Sequence, residues 1–154
     1  MNILHVVNIY FVLPYFIGDQ FKYFKEKGYN MNVACSPSEY LADFAKEQGF
    51  AYIETPVNRS ISIKEDFTSI RNICKFIKKQ KIDIIVGHTP KGGLLAMISG
   101  WLMRVPNRIY FRHGLVYETS YGLKRFILMT VDRLASFCST KGVCVSPSLL
   151  RRSI

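Results

Sequence analysis

No stretch of this chain is both long and apolar enough to cross a bilayer. The most apolar helical segment, residues 94–103, falls far short of the roughly 20 residues a span needs. No two cysteines form a C-x-x-C pair. Cys35, Cys74, Cys138 and Cys144 lie far apart, which argues against a zinc site and fits reduced core residues of a cytosolic protein. The N-terminus, MNILHVVNIYFVLP, lacks a basic n-region and a small-residue cleavage site, and is not read as a signal peptide. Acid is scarce: 11 Asp and Glu stand against 21 Lys and Arg, a formal charge of +10. Such a field favours anionic partners, whether nucleotide phosphates, nucleic acid or an anionic membrane surface. Internal repeats and low-complexity tracts are also missing.

What is present is a folded domain. At 154 residues, with 49% hydrophobic and 21% charged side chains, the chain can bury roughly 70% of its extended surface. Apolar runs over residues 2–10, 31–35, 51–57, 82–86, 107–112 and 142–145 read as six strands, each followed by a helical pattern. After the first strand, Ile17, Phe21 and Phe24 share a core face, while Phe16 and Tyr23 flank Lys22, Lys25 and Lys27; Gly28 closes that helix. Ser36-Pro37-Ser38-Glu39 reads as a capping box, with Leu41, Phe44 and Ala45 as the buried stripe and Gly49 as the stop. Ser62 and Glu65 read as a second box, followed by a stripe of Phe67, Ile70, Cys74 and Ile77. A further helix covers residues 123–139, and Ser146-Pro147-Ser148 opens another. Alternation of this kind predicts an α/β, Rossmann-like, mostly parallel sheet with helices on both faces. Doubly wound order sets strands one and four side by side at the switch point, where such folds bind ligands.

Residues 82–114 supply the chemistry at that point. Gly87-His88-Thr89-Pro90-Lys91-Gly92-Gly93 turns the chain from strand four into a helix, with Thr89 as N-cap and Pro90 at the first helical position. Free N–H groups, the positive dipole end and Lys91 make T-P-K-G-G either an anion seat or a well-made cap with a solvated lysine. Gly93, Ala96 or Met97, and Gly100 are small residues spaced for close approach to the sheet. His113-Gly114, just past strand five, can present an imidazole for hydrogen bonding or proton transfer, or stand as a structural turn residue. His88 is the second candidate, and His5, inside strand one, reads as a satisfied core residue. Other nucleotide motifs are missing: Asn8-Ile9-Tyr10-Phe11 follows strand one where a dinucleotide site wants G-x-G-x-x-G, and residues 87–93 are out of order for a P-loop. An acidic pair after strand one, as in a phospho-receiver, is also lacking.

Taken in order, NILHVVNIY, KEKGYNMNVACSP, NRSISIKED, DIIVGHTPKGGLLAMISG, VPNRIYFRHGL and VSPSL give the chain a likeness. It resembles the N-terminal half of family 4 retaining glycosyltransferases of GT-B architecture, in the branch that builds capsular and O-antigen polysaccharides. H-T-P-K-x-G followed about twenty residues on by R-I-Y-x-x-H-G is the most specific part. The resemblance implies that residues 1–154 are a single acceptor-side domain, truncated within its last helix. A separate C-terminal domain would bind the nucleotide-sugar and carry an acidic E-x7-E signature. It implies His113 close to the transferred sugar, and substrate or phosphate contacts at Thr89, Lys91, Gly92, Arg59 and His88. Gly18 alone remains of the Gly-Gly loop that touches donor phosphates in many members. The implied co-substrate is a nucleotide-sugar, with no metal and no other cofactor. The implied partners are a polyprenyl-diphosphate-linked saccharide, the chain's own C-terminal domain and the inner face of the cell membrane, where Phe16 and Tyr23 beside the lysines could sit. Nucleic acid is not expected on this reading. A non-enzymatic basic module binding nucleotides or nucleic acid is the alternative, weakened by basic residues that are spread over several helices.

Overall fold

In a computed structural model of the chain, residues 1–58, 60 and 62–152 are described. Six parallel strands form one sheet in the order β3-β2-β1-β4-β5-β6, the doubly wound order. The strands are β1 (Asn2–Val6), β2 (Asn30–Cys35), β3 (Ala51–Glu54), β4 (Ile84–His88), β5 (Asn107–Arg112) and β6 (Lys141–Cys144). Between them run α1 (Leu13–Phe16), α2 (Gln20–Glu26), α3 (Leu41–Gln48), α4 (Ile63–Gln80), α5 (Pro90–Leu102) and α6 (Gly122–Cys138), with α7 (Pro147–Arg152) following β6.

The two sheet faces carry separate cores. On one, Ile3, Val7, Met31 and Val33 pack against Ile17 at the end of α1, Phe21 of α2, and Leu41 and Ala45 of α3. On the other, Leu4, Val6, Ala34, Ile85 and Tyr110 meet Ile73 and Ile77 of α4, Leu95 and Met97 of α5, and Ala135 of α6. The small residues of α5 allow it to lie almost on the strands. A Cβ on Gly93 would stand 2.3 Å from the Tyr110 ring, one on Gly87 would meet the Gly93 Cα at 2.6 Å, and one on Gly100 would meet Ile85 at 2.7 Å.

Several element limits differ from the expectations, each for a local reason. β1 ends at Val6, not at residue 10, because the chain turns into a 3-10 segment at Tyr10–Val12 and then α1, with Pro14 in its first turn. β3 stops at Glu54: Pro56 has no N–H for a ladder, and the Val57 amide donates to Ser36 Oγ at 3.0 Å. Ser36 therefore does not cap α3, which starts only at Leu41. α4 does begin after Ser62, but the Ser62 side chain makes no cap bond, and Glu65 accepts from Asn58 instead. Its buried stripe is Ser69, Ile73, Phe76 and Ile77, leaving the expected Phe67 69% exposed. β4 lies two residues later than expected, since Ile82 still closes the end of α4 through the Ile77 carbonyl. His88 consequently belongs to the strand and not to the loop.

Candidate functional site

β1 and β4 pair from Ile3↔Ile84 to Val6↔Gly87, and β4 pairs with β5 up to His88↔Phe111. Their C-terminal ends, the loop after β1 and the first turn of α5 converge at one edge. Thr89 is the hinge there, with φ at 66° in a region that a β-branched residue rarely adopts. Its Oγ1 accepts from the Gly92 amide at 3.2 Å, the cap expected from the sequence. A Cβ on Gly92 would come within 2.9 Å of the Val6 carbonyl, so α5 starts directly against the end of β1. Asn8, also at this edge, is buried, and its Oδ1 has no hydrogen-bond partner.

Three histidines cross the sheet at this edge. Side chains alternate along a strand, so His5 of β1, His88 of β4 and His113 after β5 all stand on the same face. His5 Nδ1 lies 3.0 Å from His88 Nε2, and His88 Nδ1 lies 3.1 Å from His113 Nε2. The inner two rings are buried, whereas His113 is partly exposed. Burial lowers the His5 pKa to about 4. For His88, burial and then the neighbouring His5 and His113 lower it to about 2. His113 is lowered as well, again by burial. All three rings are therefore neutral near pH 7. Among the described residues, no group of three or more His, Cys, Asp or Glu is placed to hold a metal ion. The trio is a hydrogen-bonded chain.

Phe16 stacks on the His113 ring with centroids 3.7 Å apart and planes within 10°, and Phe111 lies at 4.9 Å. The expectation that Phe16 flanks the lysines beside Tyr23 does not hold: the short α1 turns its ring onto the site, while Tyr23 is 55% exposed. His5 also differs from expectation, because only one of its two ring nitrogens is bonded and Nε2 is buried without a partner.

Lys91, expected as an anion ligand or a solvated lysine, is neither exposed nor unpaired. Its Nζ is 2.5 Å from Asp66 Oδ2 and 3.1 Å from the Ser60 carbonyl, and both side chains are largely buried. It ties the start of α5 to α4 with its charge matched. Gly18 has φ at +47°, and a Cβ there would meet the Pro14 carbonyl at 2.8 Å, so it serves the turn between α1 and α2. Arg59 lies outside the described residues. At the far side of β5, Arg112 pairs with Asp132 of α6 at 3.1 Å and Tyr110 Oη donates to the same carboxylate at 2.9 Å, fixing α6 to the strand that carries His113. Phe16, Asp66, Asn8 and the link to His5 were not singled out as site features from the sequence. Alternation along β1, β4 and β5 was a signal available for His5; pairing register was not.

Residues 3–137 match the family model described as "Glycosyl transferase 4-like". The chain is 30% identical to the capsular polysaccharide biosynthesis glycosyltransferase CapM of Staphylococcus aureus, over 99% of this chain and 39% of that protein. It is 27% identical to the UDP-Gal:alpha-D-GlcNAc-diphosphoundecaprenol alpha-1,3-galactosyltransferase of Escherichia coli, over 82% of this chain and 33% of the relative. The chain thus spans about a third to two fifths of the length of these relatives. Among solved structures, UDP-GlcNAc 2-epimerase from Neisseria meningitidis bound to UDP-GlcNAc superposes with a TM-score of 0.69 at 16% identity, covering 100% of this chain and 43% of that one. At that identity the likeness is one of fold, the Rossmann-like domain of the GT-B architecture. By the match over most of its length, the chain belongs to the glycosyl transferase 4-like family.

Proposed function

We propose that this chain is the acceptor-side domain of a retaining glycosyltransferase. The enzyme would move a sugar from a nucleotide-sugar to a lipid-diphosphate-linked saccharide in bacterial surface polysaccharide synthesis. The observation that carries the reading is His113, a neutral and partly exposed imidazole held by Phe16 and His88 at the ligand-binding edge of a family 4 domain. The names of the S. aureus and E. coli relatives support the polysaccharide and lipid-diphosphate chemistry.

In this reading the donor binds chiefly to a second domain of the longer enzyme, and His113 meets the transferring sugar from this side. At the start of α5 the Lys91 amide is the one left to receive a phosphate or hydroxyl oxygen, since Pro90 has no N–H and the Gly92 and Gly93 amides donate to Thr89. Lys91 contributes through its latch to Asp66, and His88 acts through His113. Arg59 and Gly18 remain candidates for phosphate contacts from the family likeness alone. No cofactor beyond the nucleotide-sugar is called upon. The +10 charge suits a diphosphate acceptor at an anionic cytoplasmic membrane face; no helix among the described residues is long and apolar enough to cross a membrane.

The test is a transfer assay with the full-length enzyme, a panel of nucleotide-sugars and an undecaprenyl-diphosphate-linked saccharide, with the product anomer read by proton NMR. A glycosidic product that keeps the donor's configuration is expected. An inverted product would overturn the retaining assignment. Steep, salt-dependent binding of arbitrary oligonucleotides without any transfer would favour the basic binding module instead.

A further inference from the structure

The three histidines leave little freedom for their protons. A neutral imidazole has one N–H donor and one bare nitrogen acceptor. Two ring-to-ring contacts, at 3.0 and 3.1 Å, each need one donor facing one acceptor. Only two proton arrangements satisfy both contacts. In one, every ring is protonated on Nδ1: His5 donates to His88 Nε2, His88 donates to His113 Nε2, and His113 keeps an N–H on Nδ1. In the other, every ring is protonated on Nε2, donation runs the opposite way, and His113 Nδ1 is a bare acceptor.

The buried end selects between them. His5 Nε2 is buried with no partner among the described residues, beside a mainly apolar cavity of about 250 Å³ walled by side chains such as Ile3, Phe24, Ile84 and Val86, with Gln20 and Tyr29 also on its lining. The second arrangement would place an orphaned N–H there, and buried N–H groups without partners are rare in folded proteins. The first leaves only a bare nitrogen. At the outer end, His113 Nδ1 has no hydrogen-bond partner among the described residues and points away from His88. Phe16 and Phe111 hold the ring in place, so the two nitrogens do not exchange roles by a ring flip.

We propose that His88, itself set by His5, is a positioning residue that locks His113 in its Nδ1–H tautomer, so that the ring offers the crevice a committed hydrogen-bond donor for a ligand oxygen. The tautomer follows from the geometry of this chain alone. Its use in transfer rests on the reading of His113 given above. A donor at this place selects an oxygen lone pair on the bound ligand and cannot serve as the base that takes a proton from a hydroxyl.

The experiment is two-bond 1H–15N correlation NMR on the 15N-histidine-labelled chain at pH 7.5, with 15N–15N couplings read across the hydrogen bonds. All three rings are expected to be protonated on Nδ1, against the Nε2–H form that histidine favours in water, with couplings over both ring contacts. In His88→Phe, which keeps a flat ring of similar size, the 15N–15N coupling to His113 Nε2 is expected to vanish, which assigns that coupling to this contact. An Nε2–H signal for His113 in the unsubstituted chain overturns the proposal without recourse to any variant. So does the absence of a 15N–15N coupling between His88 and His113 in the unsubstituted chain. Normal transfer by a full-length His113→Ala enzyme would sink the functional reading while leaving the tautomer result standing, so the two failures are told apart.

Discussion

His5 and His88 make the fold sensitive to acid. Their folded pKa values, about 4 and about 2, lie below the ordinary 6.5 of the unfolded chain. Below pH 6.5 the unfolded chain therefore takes up protons that the folded chain refuses. Stability from this pair is complete above 6.5 and is lost as pH falls from 6.5 toward 4 for His5 and toward 2 for His88. Well below 6.5 each histidine contributes a slope of about 1.4 kcal/mol per pH unit. Urea unfolding at pH 7 and pH 5 should show a loss on the order of 3 kcal/mol from the two together, and His88→Phe should remove about half of that slope. A stability that is level across this range would contradict the buried, neutral trio. At this scale the sequence showed one histidine inside strand one and two more at the ends of strands four and five. It did not show that they touch, because pairing register depends on where each strand starts, and β4 starts two residues later than its apolar run suggests. The Lys91–Asp66 pair was hidden for a similar reason: it joins segments 25 residues apart through the crossing of α4 and α5.

Among the elements, α5 is the one most plainly written in the sequence. Thr89, Pro90, Gly93 and Gly100 gave its cap, its start and the face it lays on the sheet, and all four stand where that reading puts them. The closeness of that packing yields a prediction. Gly93→Ala places a methyl 2.3 Å from the Tyr110 ring, which cannot yield freely because its hydroxyl is bonded to Asp132. A loss of about 1–3 kcal/mol is expected by the usual cost of overpacking, and chemical denaturation would measure it. An unchanged midpoint would mean that α5 does not sit this near to β5. The capping boxes were less informative. Ser36 was drawn off to the Val57 amide, so a motif that matches a helix start locally was spent on a tertiary bond. Phe67 failed for a different reason: the expected stripe holds at Ile70 and Ile77, but near the start of α4 the inward position falls to Ser69, which bonds Thr55, and Phe67 is left exposed.

For the molecule as a whole, strand alternation was enough to give a doubly wound parallel sheet with strands one and four side by side at the switch point, as observed. The division of labour in the proposed enzyme lies beyond these residues and follows from the family. It predicts that this chain alone shows no transfer and little affinity for UDP-sugars. Calorimetry that found tight UDP-sugar binding by residues 1–154 would instead make this a complete nucleotide site. The central claim, that His113 acts at the transferring sugar, is tested most directly by steady-state transfer with the full-length His113→Ala enzyme. The comparison should be made against the unsubstituted enzyme at matched folded concentration. Loss of a positioned polar group at the reacting centre should lower kcat/KM by roughly 10²-fold or more, with the enzyme still folded but its melting temperature lowered, because His88 loses its acceptor and Phe16 its stacked ring. Turnover within a few-fold of the unsubstituted enzyme would remove His113 from the site and the account with it.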